Sequence, residues 1–321
     1  MGKNAVYNQL IDYVKGKERE KYLTSNGRDI LDFPLHVPCC ESILDVLDDC
    51  FRKYRDLIAV KEFEIDSSSV SIVSTACSSI IRAIELYHQG DIPGAYRVFA
   101  YMMNLYEPLS QYSIAIECGS TEPTLFYRMR VGYDIVPEKE FYHVPFSKRY
   151  LCRSERFSIA GYPCLYLGYS KIVCHMEMDK VNCSCIELQL KNDRTLNVLD
   201  LTLSNDGKKQ MNIVRLWPMI TACYIVPFYC TYTGRVSKPD DVNFKEEYII
   251  PQLLTMYAFK NHMELDGIRY YTTKDEKIYA SIDDYKNLIL FTRHQIKGLD
   301  YDLELIDNFD WREGDNYNPK D

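Results

Sequence analysis

Arg156 to Met178 reads RFSIAGYPCLYLGYSKIVCHMEM. Gly161 and Pro163 set a tight entry into CLYLGY, whose alternation puts Tyr166 on the face opposite Leu165 and Leu167. SKIVCHMEM then starts at Ser170, a residue type suited to cap a helix N-terminus. Turn, strand and helix in that order predict an α+β unit, with a tyrosine on the strand and a carboxylate, Glu177, near the end of the next helix. Two such side chains can converge on one pocket. Periodicity alone favours a plainer role, since most glutamates on amphipathic helices face solvent.

Outward from this stretch the chain reads in three parts. Apolar residues recur at three- and four-residue steps in ESILDVLDDCFRKYRDLIAV (Glu41 to Val60) and SIVSTACSSIIRAIELY (Ser71 to Tyr87), and a Gly-Asp-Ile-Pro-Gly break precedes a further helix from about Ala95 to Tyr106. The turn-rich CGSTEPT (Cys118 to Thr124) ends this helical pattern. Short β-rich runs follow (LFYRMRVG, CLYLGYS, CIELQLK, LNVLDLT, GIRYYTT, NLILFTR), with a helix predicted over Lys245 to Asn261 and Pro251 in or near its first turn. The expectation is a helical module over 1–120, a mixed-sheet domain over 121–305, and a polar, acidic tail over 306–321.

The 321 residues, 46% hydrophobic and 26% charged, have the composition of a globular protein, and the net charge of -8 argues against a partner bound by neutralising phosphates along nucleic acid or an anionic membrane. MGKNAVYNQL lacks the apolar core of a secretory signal, and Val6 stands where a myristoylation motif needs Ser or Thr, so a cytoplasmic protein is expected. TACYIVPFYCTY (Thr221 to Tyr232) is too short for a bilayer span, contains Pro227 and reads as buried core. Twelve cysteines include the adjacent Cys39 and Cys40 and a C-x-C at Cys183 and Cys185, but no pair of C-x-x-C knuckles; they are expected to be free thiols and no metal is expected. Neither a GxGxxG nor a GxxxxGK[ST] loop occurs, which disfavours a Rossmann dehydrogenase or a P-loop enzyme.

Arginines supply the other half of the chemistry. Arg128 and Arg130 alternate onto one face of LFYRMRVG, and Arg153 and Arg156 precede the glycine turn. Guanidinium forks beside serine and backbone N–H groups suit a pyrophosphate or similar anion. His143 in HVPF is a candidate orienter or base, or a structural histidine; His175, two residues from Glu177 on a helix, does not face it.

The string from His143 to Met178 resembles the central signature of the RES-domain family, named for an arginine, a glutamate and a serine. The matching positions are Arg128 in FYRMR, Arg156, Phe157 and Ser158 in RFS, Tyr166 in LYLG, and Glu177 eleven residues beyond that tyrosine. EEYIIPQLL, DGIRYYTT and YKNLILF continue the resemblance, which covers roughly Pro123 to Phe291; Thr272 stands where the family has its serine. The resemblance implies an ADP-ribosyltransferase-like α+β fold and an enzyme that consumes NAD by phosphorolysis or hydrolysis, with inorganic phosphate as the co-substrate in the first case and no cofactor beyond NAD. It implies Arg128, Tyr166 and Glu177 as catalytic residues, with Arg156, Phe157, Ser158, Thr272 and His143 around the NAD. It further implies a toxin, restrained by an antitoxin or regulatory protein or used against phage, and leaves homo-oligomerisation open. The alternatives are ADP-ribose transfer to a protein or small molecule, and an inactive interaction module.

Overall fold

The computed structural model describes residues 6–16, 19–25, 27–38, 41–106, 108–132, 138–178, 182–202, 210–227, 244–262, 264–274 and 285–317. The chain forms two compact units, Met1–Gln111 with Asn205–Leu254, and Tyr112–Ser204 with Thr255–Asp321. This shifts the expected boundaries, because a segment from the middle of the chain returns to the helical unit. Cys39, Cys40, 228–232 and 318–321 lie outside the described residues.

The first unit carries α1 (Val6–Gly16), β1 (Leu35–Val37), α2 (Ile43–Ile58), α3 (Ser67–His88), α4 (Ile92–Met103), α6 (Gln210–Cys223) and β7 (Ile225–Pro227), and the division falls within α7 (Ile249–Asn261). The starts of α2, α3 and α4 are capped: Ser42 accepts from the Asp45 N–H, Asp66 from Ser69 and Asp91 from Gly94. Among the described residues, α3 is the one helix long and apolar enough to cross a bilayer; it packs against α2, α4 and α6. α6 was not anticipated, since Pro218 interrupts its pattern. The proline lacks an N–H, so the Val214 carbonyl four residues earlier loses its helical partner. The Tyr54 hydroxyl supplies one, donating to the Val214 oxygen at 2.9 Å, while its ring stacks on Trp217 with centroids 3.7 Å apart. Tyr54→Phe keeps the stack and strands a buried carbonyl, so it should lower stability by about 1–3 kcal/mol, read as a lower urea midpoint.

The second unit is an eight-stranded sheet in the order β10-β5-β3-β4-β9-β8-β6-β2. Its strands are β2 (Ser113–Glu117), β3 (Leu125–Val131), β4 (Cys164–Gly168), β5 (Cys183–Leu190), β6 (Thr195–Asp200), β8 (Gly267–Tyr271), β9 (Lys286–Phe291) and β10 (Phe309–Tyr317), with helices α5 (Lys171–Met178) and α8 (Leu303–Ile306). Pairing is antiparallel except between β6 and β8. The α+β class expected from the sequence is the class the chain has.

The expected tail from 306 is instead mostly an edge strand. Phe309 is buried, Trp311 packs on the same core, and Asp310 and Arg312 between and beyond them are exposed. That is the period of a half-buried strand, carried by two aromatic residues among charges.

Strand alternation divides the sheet into two faces. Leu165 and Leu167 of β4 join Phe126, Ile186, Leu188, Leu288 and Leu290 in one core. Tyr166 and Gly168 face the other way, where Cys174 of α5 clusters with Met129 of β3 and with Cys183 and Cys185 of β5. Gly168 is what lets α5 come so close: a Cβ there would sit 2.6 Å from both the Cys174 Sγ and the Val173 Cγ1.

Candidate active site

The register of three central strands assembles one face of the site. Gly168 of β4 pairs with Asn287 of β9, and Asn287 pairs in turn with Tyr270 of β8. Tyr166, two residues before Gly168, therefore shares a face with Asn287 and Tyr270. At the far end of α5, Glu177 is exposed, yet its Oε1 accepts a 2.8 Å hydrogen bond from the Nδ2 of buried Asn287. Ser170 caps the start of α5 by accepting from the Val173 N–H at 3.1 Å, as expected.

The hydroxyl end of this face is built from β4 and the turn before it. Burial, reinforced by Cys164 and Tyr270, raises the pKa of the Tyr166 phenol well above its ordinary value, so the group is a neutral donor. Its hydroxyl lies beside Ser158 and makes no hydrogen bond of normal geometry among the described residues. A buried hydroxyl left without a hydrogen bond is a group for a ligand or solvent to satisfy. Phe157 is fully buried against Tyr270, with ring centroids 4.6 Å apart, and its carbonyl accepts from the Thr255 hydroxyl at 3.0 Å. Ser158 is also buried, and its backbone N–H is already given to the Glu155 carbonyl. Arg156 reaches the Thr273 hydroxyl at 3.3 Å. Beside it, the Thr272 hydroxyl is buried and accepts the Lys274 N–H at 3.1 Å, which closes a local turn.

Arg128 lies across the sheet from this face. Its neighbour Tyr127 pairs with Gly168, the single registered pair between β3 and β4. Arg128 consequently leaves the strand toward the opposite face, and its guanidinium donates to the Tyr166 carbonyl at 2.5 Å and the Tyr142 carbonyl at 3.5 Å. Its Nε is buried without a partner, and among the described residues it makes no ion pair. Arg130 alongside donates to the Glu140 and Tyr142 carbonyls. Burial lowers the pKa of both guanidinium groups, and for Arg128 the charge of Arg130 adds to the effect. A buried and a half-buried cation, both held by carbonyls, form a locally positive spot that an anion would relieve. Arg153 is exposed and outside this grouping.

His143 needs a correction. Its Nε2 accepts the Asp302 N–H at 2.9 Å, so Nδ1 carries the proton and donates to the Val144 carbonyl at 2.8 Å. Burial holds its pKa below the usual value. Both ring nitrogens are thus spent on backbone, and the histidine is neutral and structural rather than an orienter, a base or an NAD contact. Asn287, Tyr270 and Thr273 were missed by sequence reasoning; only strand register puts them beside the motif. Among the described residues no three His, Cys, Asp or Glu side chains gather to hold a metal ion, and the described cysteines are free thiols.

No protein-family profile matches the chain, and no solved structure matches it. Over 248 residues, 69% of this chain, it is 32% identical to a protein of Bacillus subtilis (strain 168) named "Putative toxin YopC", of which the match covers 53%. The chain is therefore similar in sequence to a Bacillus subtilis protein that bears a toxin's name, and it spans about half the length of that relative.

Proposed function

We propose that the chain is a toxin that breaks the bond between nicotinamide and ribose in NAD. The observation that carries the reading is the single face on which Glu177, fixed by Asn287, accompanies the orphaned Tyr166 hydroxyl. The toxin name of the relative and the RES-like spacing of Tyr166 and Glu177 support it independently.

In the proposed reaction the C1′–N bond of the nicotinamide ribose breaks and its electron pair leaves with nicotinamide, turning a pyridinium into a neutral ring. Positive charge builds on the ribose, and the Glu177 carboxylate stabilises it as carboxylates do beside other oxocarbenium-like transition states. Tyr166, a neutral donor, binds a ribose or amide oxygen. Arg128, on the far face of the sheet, holds β3 against the Tyr166 carbonyl of β4, and Arg156, beside Thr273, is the cation that meets the pyrophosphate of NAD or an attacking phosphate. Water attacking C1′ yields ADP-ribose and a proton; phosphate yields ADP-ribose 1″-phosphate. Loss of NAD would poison a cell from its cytoplasm, so a restraining antitoxin or regulatory protein is the partner this reading calls for.

The test is to incubate the purified protein with NAD, with and without inorganic phosphate, and separate the products. Free nicotinamide with ADP-ribose marks hydrolysis, the 1″-phosphate marks phosphorolysis, and labelled protein marks transfer. NAD unchanged at high protein concentration would refute the reading.

A further inference from the structure

We propose that Asn287 is the positioning residue for Glu177, acting through the carboxylate rather than on the substrate; the inference rests on the reading of Glu177 as the group that stabilises the ribosyl cation. α5 is two turns long, too short to hold its own shape in water. Its first half is tied down three ways: by the Ser170 cap, by the contact with Gly168, and by the Cys174 thiol, whose Sγ lies 3.2 Å from the Tyr127 carbonyl. Glu177 sits past these ties. Its side chain is exposed and has three rotatable bonds, and among the described residues the one hydrogen bond that fixes it comes from Asn287.

Asn287 is suited to the task by place and by chemistry. It is 4% exposed on a strand bonded on both sides, to β4 and to β8, so its amide is held by the centre of the sheet. A neutral amide donates an N–H without bringing a charge. It therefore orients the carboxylate and leaves its negative charge free to face the developing cation. An aspartate of the same size would offer no donor and would repel.

The experiment measures NAD turnover for wild type, Glu177→Gln, Asn287→Ala, Asn287→Asp and the Glu177→Gln/Asn287→Ala double variant. Asn287→Ala should lower kcat roughly 10- to 100-fold with KM nearly unchanged, the range for a reacting group displaced by about an ångström. Asn287→Asp should be slower still. In the double variant the second substitution should add nothing to Glu177→Gln, because residues that act as one unit are not additive. A purely structural asparagine would instead multiply the two losses. Circular dichroism checks that each variant folds, and the isosteric Asn287→Asp carries the test if Asn287→Ala does not. An active wild type with an inactive Glu177→Gln and an unimpaired Asn287→Ala or Asn287→Asp overturns this inference alone, as do multiplicative losses. A wild type inert toward NAD overturns the functional reading and this inference with it.

Discussion

Glu177→Gln is expected to lower the kcat for NAD cleavage by about 10²- to 10³-fold, the cost of removing one preorganised electrostatic group from a charge-developing transition state. The substitution isolates charge from shape. Glutamine is isosteric, and its carbonyl can still accept the Nδ2–H of Asn287 that Glu177 accepts at 2.8 Å. The last turn of α5 should therefore stay where it is. What disappears is the negative charge, which matters little to bound NAD and much to the ribosyl cation. The loss should accordingly fall on kcat, with KM changed only slightly. Initial rates of nicotinamide release over a range of NAD concentrations make the separation. A variant within a few-fold of wild type would mean that the carboxylate is an ordinary exposed glutamate. Its exposure is what periodicity alone suggests, and the Asn287 bond is what sets it apart.

Local signals carried the parts of the fold that local physics decides. α2, α3 and α4 follow from apolar spacing and capping residues, and β3, β4, β5, β6, β8 and β9 from runs of β-formers between turns. β10 was passed over because Asp310, Arg312 and Glu313 mask the alternation of Phe309 and Trp311, so a strand with one wet face looked like a polar tail. α6 was hidden by Pro218, which the helix tolerates because Tyr54, far away in sequence, takes the orphaned carbonyl. The site divides along the same line. Tyr166 and Glu177 are a strand-to-helix step apart and can be placed from spacing. Asn287 cannot: a lone asparagine in a strand has no pattern, and only the pairing of β9 with β4 brings it to Glu177. His143 shows the converse, a chemically suggestive residue whose two nitrogens both serve the backbone.

The largest stability effect is expected at Arg269, another residue that no sequence pattern marks. Its side chain is fully buried on β8, with Nε and Nη2 on the Asp200 carboxylate at 3.0 and 2.7 Å, Nη1 on Glu122, and the guanidinium near the Tyr169 ring. Asp200 also accepts the backbone N–H and the hydroxyl of Thr202. Burial alone would raise the Asp200 pKa, but Arg269 and the Thr202 hydrogen bonds outweigh it and hold the carboxyl below its ordinary value. Its share of stability is then present above the unfolded-state pKa and lost as pH falls through the lower folded-state value. Arg269→Met fills similar space and leaves Asp200 charged, buried and without its cation, so it should cost about 3–5 kcal/mol at neutral pH. Tryptophan fluorescence in a urea titration and hydrogen exchange of the β8 and β9 amides report the loss. Two further results follow from the same cause. The deficit should shrink as the pH is lowered, because protonating Asp200 removes the unpaired charge in the variant while it breaks an ion pair in wild type. Arg269→Met with Asp200→Asn should be more stable than Arg269→Met alone, since the asparagine carbonyl still accepts from Thr202 and brings no charge. A deficit that is independent of pH and unrelieved by the second substitution would mean that Arg269 matters for its packing volume and not for its charge.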